Sequence, residues 1–164
     1  MKRFLFSILT VALTAAATLT LGSCSDDDKY ASYAPRFSDM TFTNLTGKTT
    51  FHVGDTIVAT AVQKKYGHLL DRTTYKWEVS PSEGVGQKYM TGCVYDNDRS
   101  NPTDTLVFSS AGSYTIKLTA RYNASGISES ASSSEDFPDG GSASYASAAL
   151  AVFAYVTKTI RVSN

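Results

Sequence analysis

Gly112-Ser113-Tyr114-Thr115-Ile116-Lys117-Leu118-Thr119-Ala120 settles the fold class. Tyr114, Ile116, Leu118 and Ala120 alternate without interruption with Thr115, Lys117, Thr119 and Arg121. A period of two places the first set on one side of an extended chain and the second on the other, as in a strand with one face in a core and one in water. A helix would scatter both sets around its circumference.

Working outward, the same pattern recurs. Tyr75, Trp77 and Val79 alternate with Thr74, Lys76 and Glu78, and Pro81 then blocks simple continuation of that strand. Residues 37–42 form a first strand and residues 56–63 a second, introduced by Gly54-Asp55. In the second, Ile57, Ala59 and Ala61 oppose Val58, Thr60 and Val62, so both faces are apolar enough to be buried. Residues 103–109 carry Leu106 and Phe108 on one side, and residues 150–162 close the chain as a long strand. Residues 88–95 pair as an edge strand, weakened by nearby glycines. Between 123 and 147 the chain is rich in Ser, Gly and Ala and reads as a flexible insertion, with Pro138-Asp139-Gly140-Gly141 able to turn a hairpin. A helix over 143–154 is the competing reading there, but the β-branched and aromatic residues that follow favour strand.

At the other end, Lys2 and Arg3 precede an uncharged apolar run from Phe4 to Leu21, the composition of a secretion signal rather than a retained anchor helix. Leu21-Gly22-Ser23-Cys24 resembles a bacterial lipobox, and Ser25-Asp26-Asp27-Asp28 is similar to the acidic export signal of surface lipoproteins in Bacteroidota-type bacteria. The resemblance implies that residues 1–23 are removed, that Cys24 carries acyl chains, and that the chain is held on the outer membrane facing the exterior. Residues 24–34 then form a lipidated, acidic tether ahead of a domain over 35–164.

Removing residues 1–23 from 164 leaves 141, enough for one domain and its tether. The whole chain has 15 basic and 15 acidic residues, and the leader takes Lys2 and Arg3 with it, so no basic excess invites nucleic acid. With Cys24 acylated, Cys93 has no disulfide partner and reads as a small buried hydrophobe.

About seven short strands, with tryptophan on the third and tyrosine opening the penultimate one, fit an immunoglobulin-like β-sandwich. The stretch Gly112 to Ala120 resembles the penultimate strand of polycystic-kidney-disease (PKD) type domains. Tyr75-Lys76-Trp77-Glu78-Val79 is similar to that family's Tyr-x-Trp strand, and Lys158-Thr159-Ile160-Arg161-Val162 to its final strand. Ser80-Pro81-Ser82-Glu83-Gly84 stands where the family commonly has a Gly-Asp-Gly turn, and the last loop is long, so the domain is PKD-like. The resemblance implies that Trp77 packs between the sheets with Ile116 and Leu118, and that Tyr114 sends its hydroxyl to a backbone group as a tyrosine corner.

Three surfaces merit attention. Asp96, Asp98, Asn101 and Asp104 form the densest set of oxygen ligands, the kind calcium takes. Counted from Asp96, however, the sixth position is Asn101 and the twelfth Val107, where an EF-hand needs Gly and Glu, so an Asx-rich turn is preferred. Lys65, Tyr66 and His68 lie between the second and third strands, and Tyr122 and Tyr145 beside or within the long insertion. In an immunoglobulin-like topology these loops meet at one end, where the three tyrosines would offer ring faces to a glycan or a surface protein, unless they are ordinary connecting loops. No nucleophile stands with a base, and His52 and His68 alone make no zinc site. The expected function is a lipid-anchored, non-enzymatic binding or presentation module with no cofactor beyond its lipid, accessory to glycan capture or cell-surface contact. The alternative is a structural subunit of a surface assembly.

Overall fold

Alternation along each segment is realised as ten strands in a computed structural model that describes residues 31–88, 93–94, 100–127 and 133–164. In chain order they are β1 (Arg36–Asn44), β2 (Thr56–Lys65), β3 (Arg72–Ser80), β4 (Val85–Lys88), β5 (Cys93–Val94), β6 (Thr103–Phe108), β7 (Gly112–Asn123), β8 (Ser134–Asp136), β9 (Ser142–Ala148) and β10 (Ala151–Val162). Two antiparallel sheets form, one of order β1-β2-β6-β4 and one of order β5-β3-β7-β10-β9-β8. This is an all-β immunoglobulin-like sandwich. The lipobox-like stretch, Cys24 and the acidic residues 25–28 lie outside the described residues.

The core sits where the two alternations meet. Ile57, Ala59 and Ala61 take the inner face of β2, which resolves the face the sequence leaves open. Trp77 from β3, only 2% exposed, packs with Ile116 and Leu118 of β7 and with Leu106 and Phe108 of β6. Its indole N–H has no hydrogen-bond partner among the described residues, so its role there is volume. Tyr114 closes a tyrosine corner: its hydroxyl donates to the Ser110 carbonyl at 2.9 Å while its ring leans on Phe108, centroids 4.5 Å apart. β7 is paired on both sides, to β3 from Arg72 to Ser80 and to β10 along its whole length.

Two expectations need correction. The single edge strand over 88–95 is two short strands in different sheets: β4 pairs with β6, and β5 pairs with β3. Over its described residues the insertion is the hairpin that Pro138 to Gly141 allows, not a loose loop. Phe137 to Gly141 makes a turn closed by Gly140 N–H to the Phe137 carbonyl at 3.1 Å, and β8 and β9 flank it as a hairpin. Gly141 has φ +95°, and a Cβ there would lie 2.5 Å from the Thr157 carbonyl oxygen, so only glycine fits. β9 then pairs with β10 across a two-residue turn, Ala149-Leu150, in which Leu150 carries φ 57°. The 143–154 stretch is therefore strand, turn and strand.

The hairpin closes a seam between the sheets. Tyr145 on β9, 4% exposed, accepts a hydrogen bond from the Phe37 backbone N–H of β1 at 2.7 Å, and the Arg36 guanidinium lies 4.3 Å from its ring centre. Arg36 also donates to Ser133, and Lys158 of β10 pairs with Asp39 of β1 at 2.7 Å. Among the described residues, these contacts and the core hold the two sheets together.

Two stability outcomes follow from this packing. Trp77→Ala empties the largest core volume and is expected to lower unfolding free energy by about 3–5 kcal/mol in urea melts. Tyr145→Phe strands the Phe37 N–H against the protein interior and is expected to cost about 1–3 kcal/mol, with near-native far-ultraviolet circular dichroism.

Candidate functional site

The loop end takes its shape from the chain entering it. Tyr33 and His68 exchange backbone hydrogen bonds at 3.2 and 3.0 Å, and their rings stack with centroids 5.4 Å apart. Lys65 places its ammonium 3.9 Å from the Tyr33 ring centre, and Lys64 pairs with Glu135 of β8. Lys65 and His68 are thus gathered with Tyr33, which sequence reasoning did not single out, while Tyr66 stands 41% exposed. The other two expected rings are elsewhere. Tyr122 is 0% exposed on the inner face of β7, edge-on to Tyr75 at 6.3 Å, and Tyr145 lies in the seam under Arg36. Neither can offer its face to a ligand, because each continues the inward parity of its strand: Tyr122 follows Ala120 and Tyr145 follows Ala143.

A second surface lies on the outward face of the six-stranded sheet. Pairing of β3 with β7 aligns four rows: Arg72 with Asn123, Thr74 with Arg121, Lys76 with Thr119, and Glu78 with Lys117. Each row carries one cation, and the cations alternate between strands. A shallow groove of about 540 Å³ runs over the first three rows, lined by Arg72, Thr74, Lys76, Thr119, Arg121 and Asn123. A smaller one of about 320 Å³ lies at the fourth row, lined by Glu78, Val79, Ser80, Thr115, Lys117 and Thr157. Next in the sheet, Phe153 and Tyr155 of β10 face outward, ring centroids 6.3 Å apart and planes within 9°. The Arg121 guanidinium lies 5.7 Å from the Phe153 ring centre and the Lys117 ammonium 5.3 Å from that of Tyr155. Opposite them β9 places only Ser144 and Ala146. Glu78, the carboxylate in these rows, is bonded to Lys76 at 2.7 Å, and that bond, with the fields of Lys76 and Lys117, holds it below the usual carboxylate range.

Of the oxygen-ligand set, the structure describes Asn101 and Asp104. Asp96 and Asp98 lie outside the described residues. Asn101 accepts the Gln63 backbone N–H at 2.9 Å. Asp104 is 2% exposed on the inner side of β6, where one oxygen accepts from Gln87 Nε2 and the other from the Thr105 N–H, both at 2.8 Å. Both oxygens are spent inside the sandwich. Among the described residues no group of three or more His, Cys, Asp or Glu side chains is placed to hold a metal ion.

The family model described as PKD domain matches residues 41–135. That span opens in β1 and stops in β8, ahead of β9 and β10, where the hairpin separates the last strand from the pattern. Comparison with curated proteins and with solved structures finds no match.

Burial pushes the Asp104 carboxyl up, against the smaller pull of its bonds from Gln87 and Thr105. A raised folded-state value means that the folded form holds its proton more tightly than the unfolded chain. This contribution to stability is full below the ordinary carboxylate range and is lost as pH rises through the raised value. Asp104→Asn, with the Gln87 amide turned to accept, is expected to melt higher than wild type at neutral pH, and the gap should close on acidification below pH ~4. Melting temperature against pH for both proteins measures it.

Proposed function

The chain belongs to the PKD domain family, and we propose that it is a lipid-anchored module displayed on the outer face of the outer membrane, where it binds or presents rather than catalyses. Membership supplies the coarse part, an immunoglobulin-like binding or structural domain. The finer part draws on the leader, the lipobox-like Leu21 to Cys24 and the Asp run behind it.

The observation that carries the reading is the Tyr33–His68 bridge. It brings the tether in at the β2–β3 loop end, so an acyl anchor on Cys24 lies nine residues from the body of the domain, at most about 30 Å when extended. Two or three acyl chains hold such a tether at about 0.8 kcal/mol per buried methylene. With the loop end turned to the membrane, the surface left for large extracellular partners is the sheet face, with its cations and aromatic pair. That shifts the binding function from the loops to the outward rows of β3, β7 and β10.

Intact cells fed an alkyne analogue of palmitate are expected to label the chain, and Cys24→Ala to abolish the label. Protease added outside should digest the labelled protein without lysis. An intact leader, an unmodified Cys24 thiol, or protection from protease until lysis would overturn the reading. Cross-linking on the same cells that captures one dominant protein neighbour would replace it with a structural subunit of a surface assembly.

A further inference from the structure

We propose that the outward face of β3 and β7 is a binding groove for a linear, carboxylate-bearing polysaccharide, with uronate groups seated against Arg72, Lys76, Lys117 and Arg121. The proposal rests on the reading of this chain as a displayed binding module and names what it binds.

The first ground is the spacing of charge. Successive outward residues on a strand stand about 7 Å apart, two residues at about 3.3 Å each. Four rows therefore set four cations along about 20 Å, shifting from strand to strand, with Glu78 the one carboxylate among them. Such a line complements a repeating anion better than a single charged group. It lies within about a Debye length from row to row, so the rows act as one field.

The second ground is preorganisation. Arg121 and Lys117 lie along the outward rings Phe153 and Tyr155, which hold their side chains over the sheet. A cation already held in place loses less freedom when a ligand arrives. The planar fork of an arginine then meets a carboxylate with two parallel hydrogen bonds.

The third ground is the lining between the cations. Between the cations of the larger cavity, Thr74, Thr119 and Asn123 offer hydroxyl and amide groups, and the six residues that line it are all polar or charged. A protein partner would be anchored by a desolvated apolar centre. A polysaccharide instead presents a hydroxyl-rich chain, for which short polar side chains and bridging water are the matching surface.

The test uses the full chain purified in detergent, with polygalacturonate as the probe. Binding is expected, with the logarithm of affinity falling linearly as the logarithm of salt rises, as for any polyanion that releases counterions. Arg72→Gln with Arg121→Gln is expected to weaken it about tenfold or more, from the loss of charged hydrogen bonds. Glu78→Gln, which removes the competing carboxylate, is expected to strengthen it, an outcome no folding defect imitates. Tyr66→Ala at the loop end should leave it unchanged. No binding, equal binding by the double variant, or equal binding of a neutral polysaccharide overturns the proposal. So does equal binding of polyglutamate, which would make an acidic protein segment the occupant. Because acylation and protease access are read separately on cells, a displayed chain that ignores polygalacturonate overturns this inference alone.

Discussion

The sandwich depends on β7 being paired along both edges while its inner side chains fill the space between the sheets. Its bonds to β3 and β10 fix the register of three strands at once, and that register puts Trp77 against Leu118 and Val79 against Ile116. A slip of one residue would turn every one of these side chains to water and every threonine and lysine inward. Tyr114 guards the start of the strand, because its hydroxyl bond to Ser110 holds the turn that feeds β7 into place. The edges of the two sheets need their own closure. The β8–β9 hairpin provides it by bringing Tyr145 to the Phe37 N–H, beside the Lys158–Asp39 pair.

Legibility in the sequence follows the contrast between the two faces of each strand. β3 and β7 have large apolar residues against charged ones, and their alternation can be read directly. In β2 both faces are apolar, and only the neighbours decide: Ile57 lies opposite Leu106 and Ala59 opposite Asp104, so pairing with β6 turns that set inward. β9 is the opposite case. Ser142-Ala143-Ser144-Tyr145-Ala146-Ser147-Ala148 has little β-propensity and the composition of a linker. It is a strand because β10 offers it an edge and because alanine and tyrosine suit the narrow space above β1. Nothing local announces that edge, so the insertion reads as loose chain.

The site shows a different limit. Tyr122 was readable: it extends the series Tyr114, Ile116, Leu118, Ala120 by one more inward step, and parity alone assigns it to the core. Likewise Phe153 and Tyr155 share parity with Thr157, Thr159 and Arg161, against Val156, Ile160 and Val162, which places them outside. The rows themselves were not readable. That Arg121 stands beside Thr74 and Lys117 beside Glu78 depends on a register set by tertiary pairing, and no spacing along the chain encodes it. A function carried by cross-strand rows is hidden from a one-dimensional reading in a way that a short contiguous motif is not.

The charge on that face bears on why the rows take this form. Opposite charges in facing and diagonal positions stabilise a sheet, and like charges in those positions destabilise it. A surface serving stability alone would alternate signs, and the Lys76–Glu78 bond shows how the sheet relieves itself where it can. Between β3 and β7, Arg121 stands beside Thr74 and Arg72 beside Asn123. The Lys76 hydrogen bond, with the fields of Lys76 and Lys117, holds Glu78 below the usual carboxylate range. Aromatic rings laid along Arg121 and Lys117 hold two of these cations over the sheet, which is the preorganisation the proposed groove for a negatively charged chain relies on.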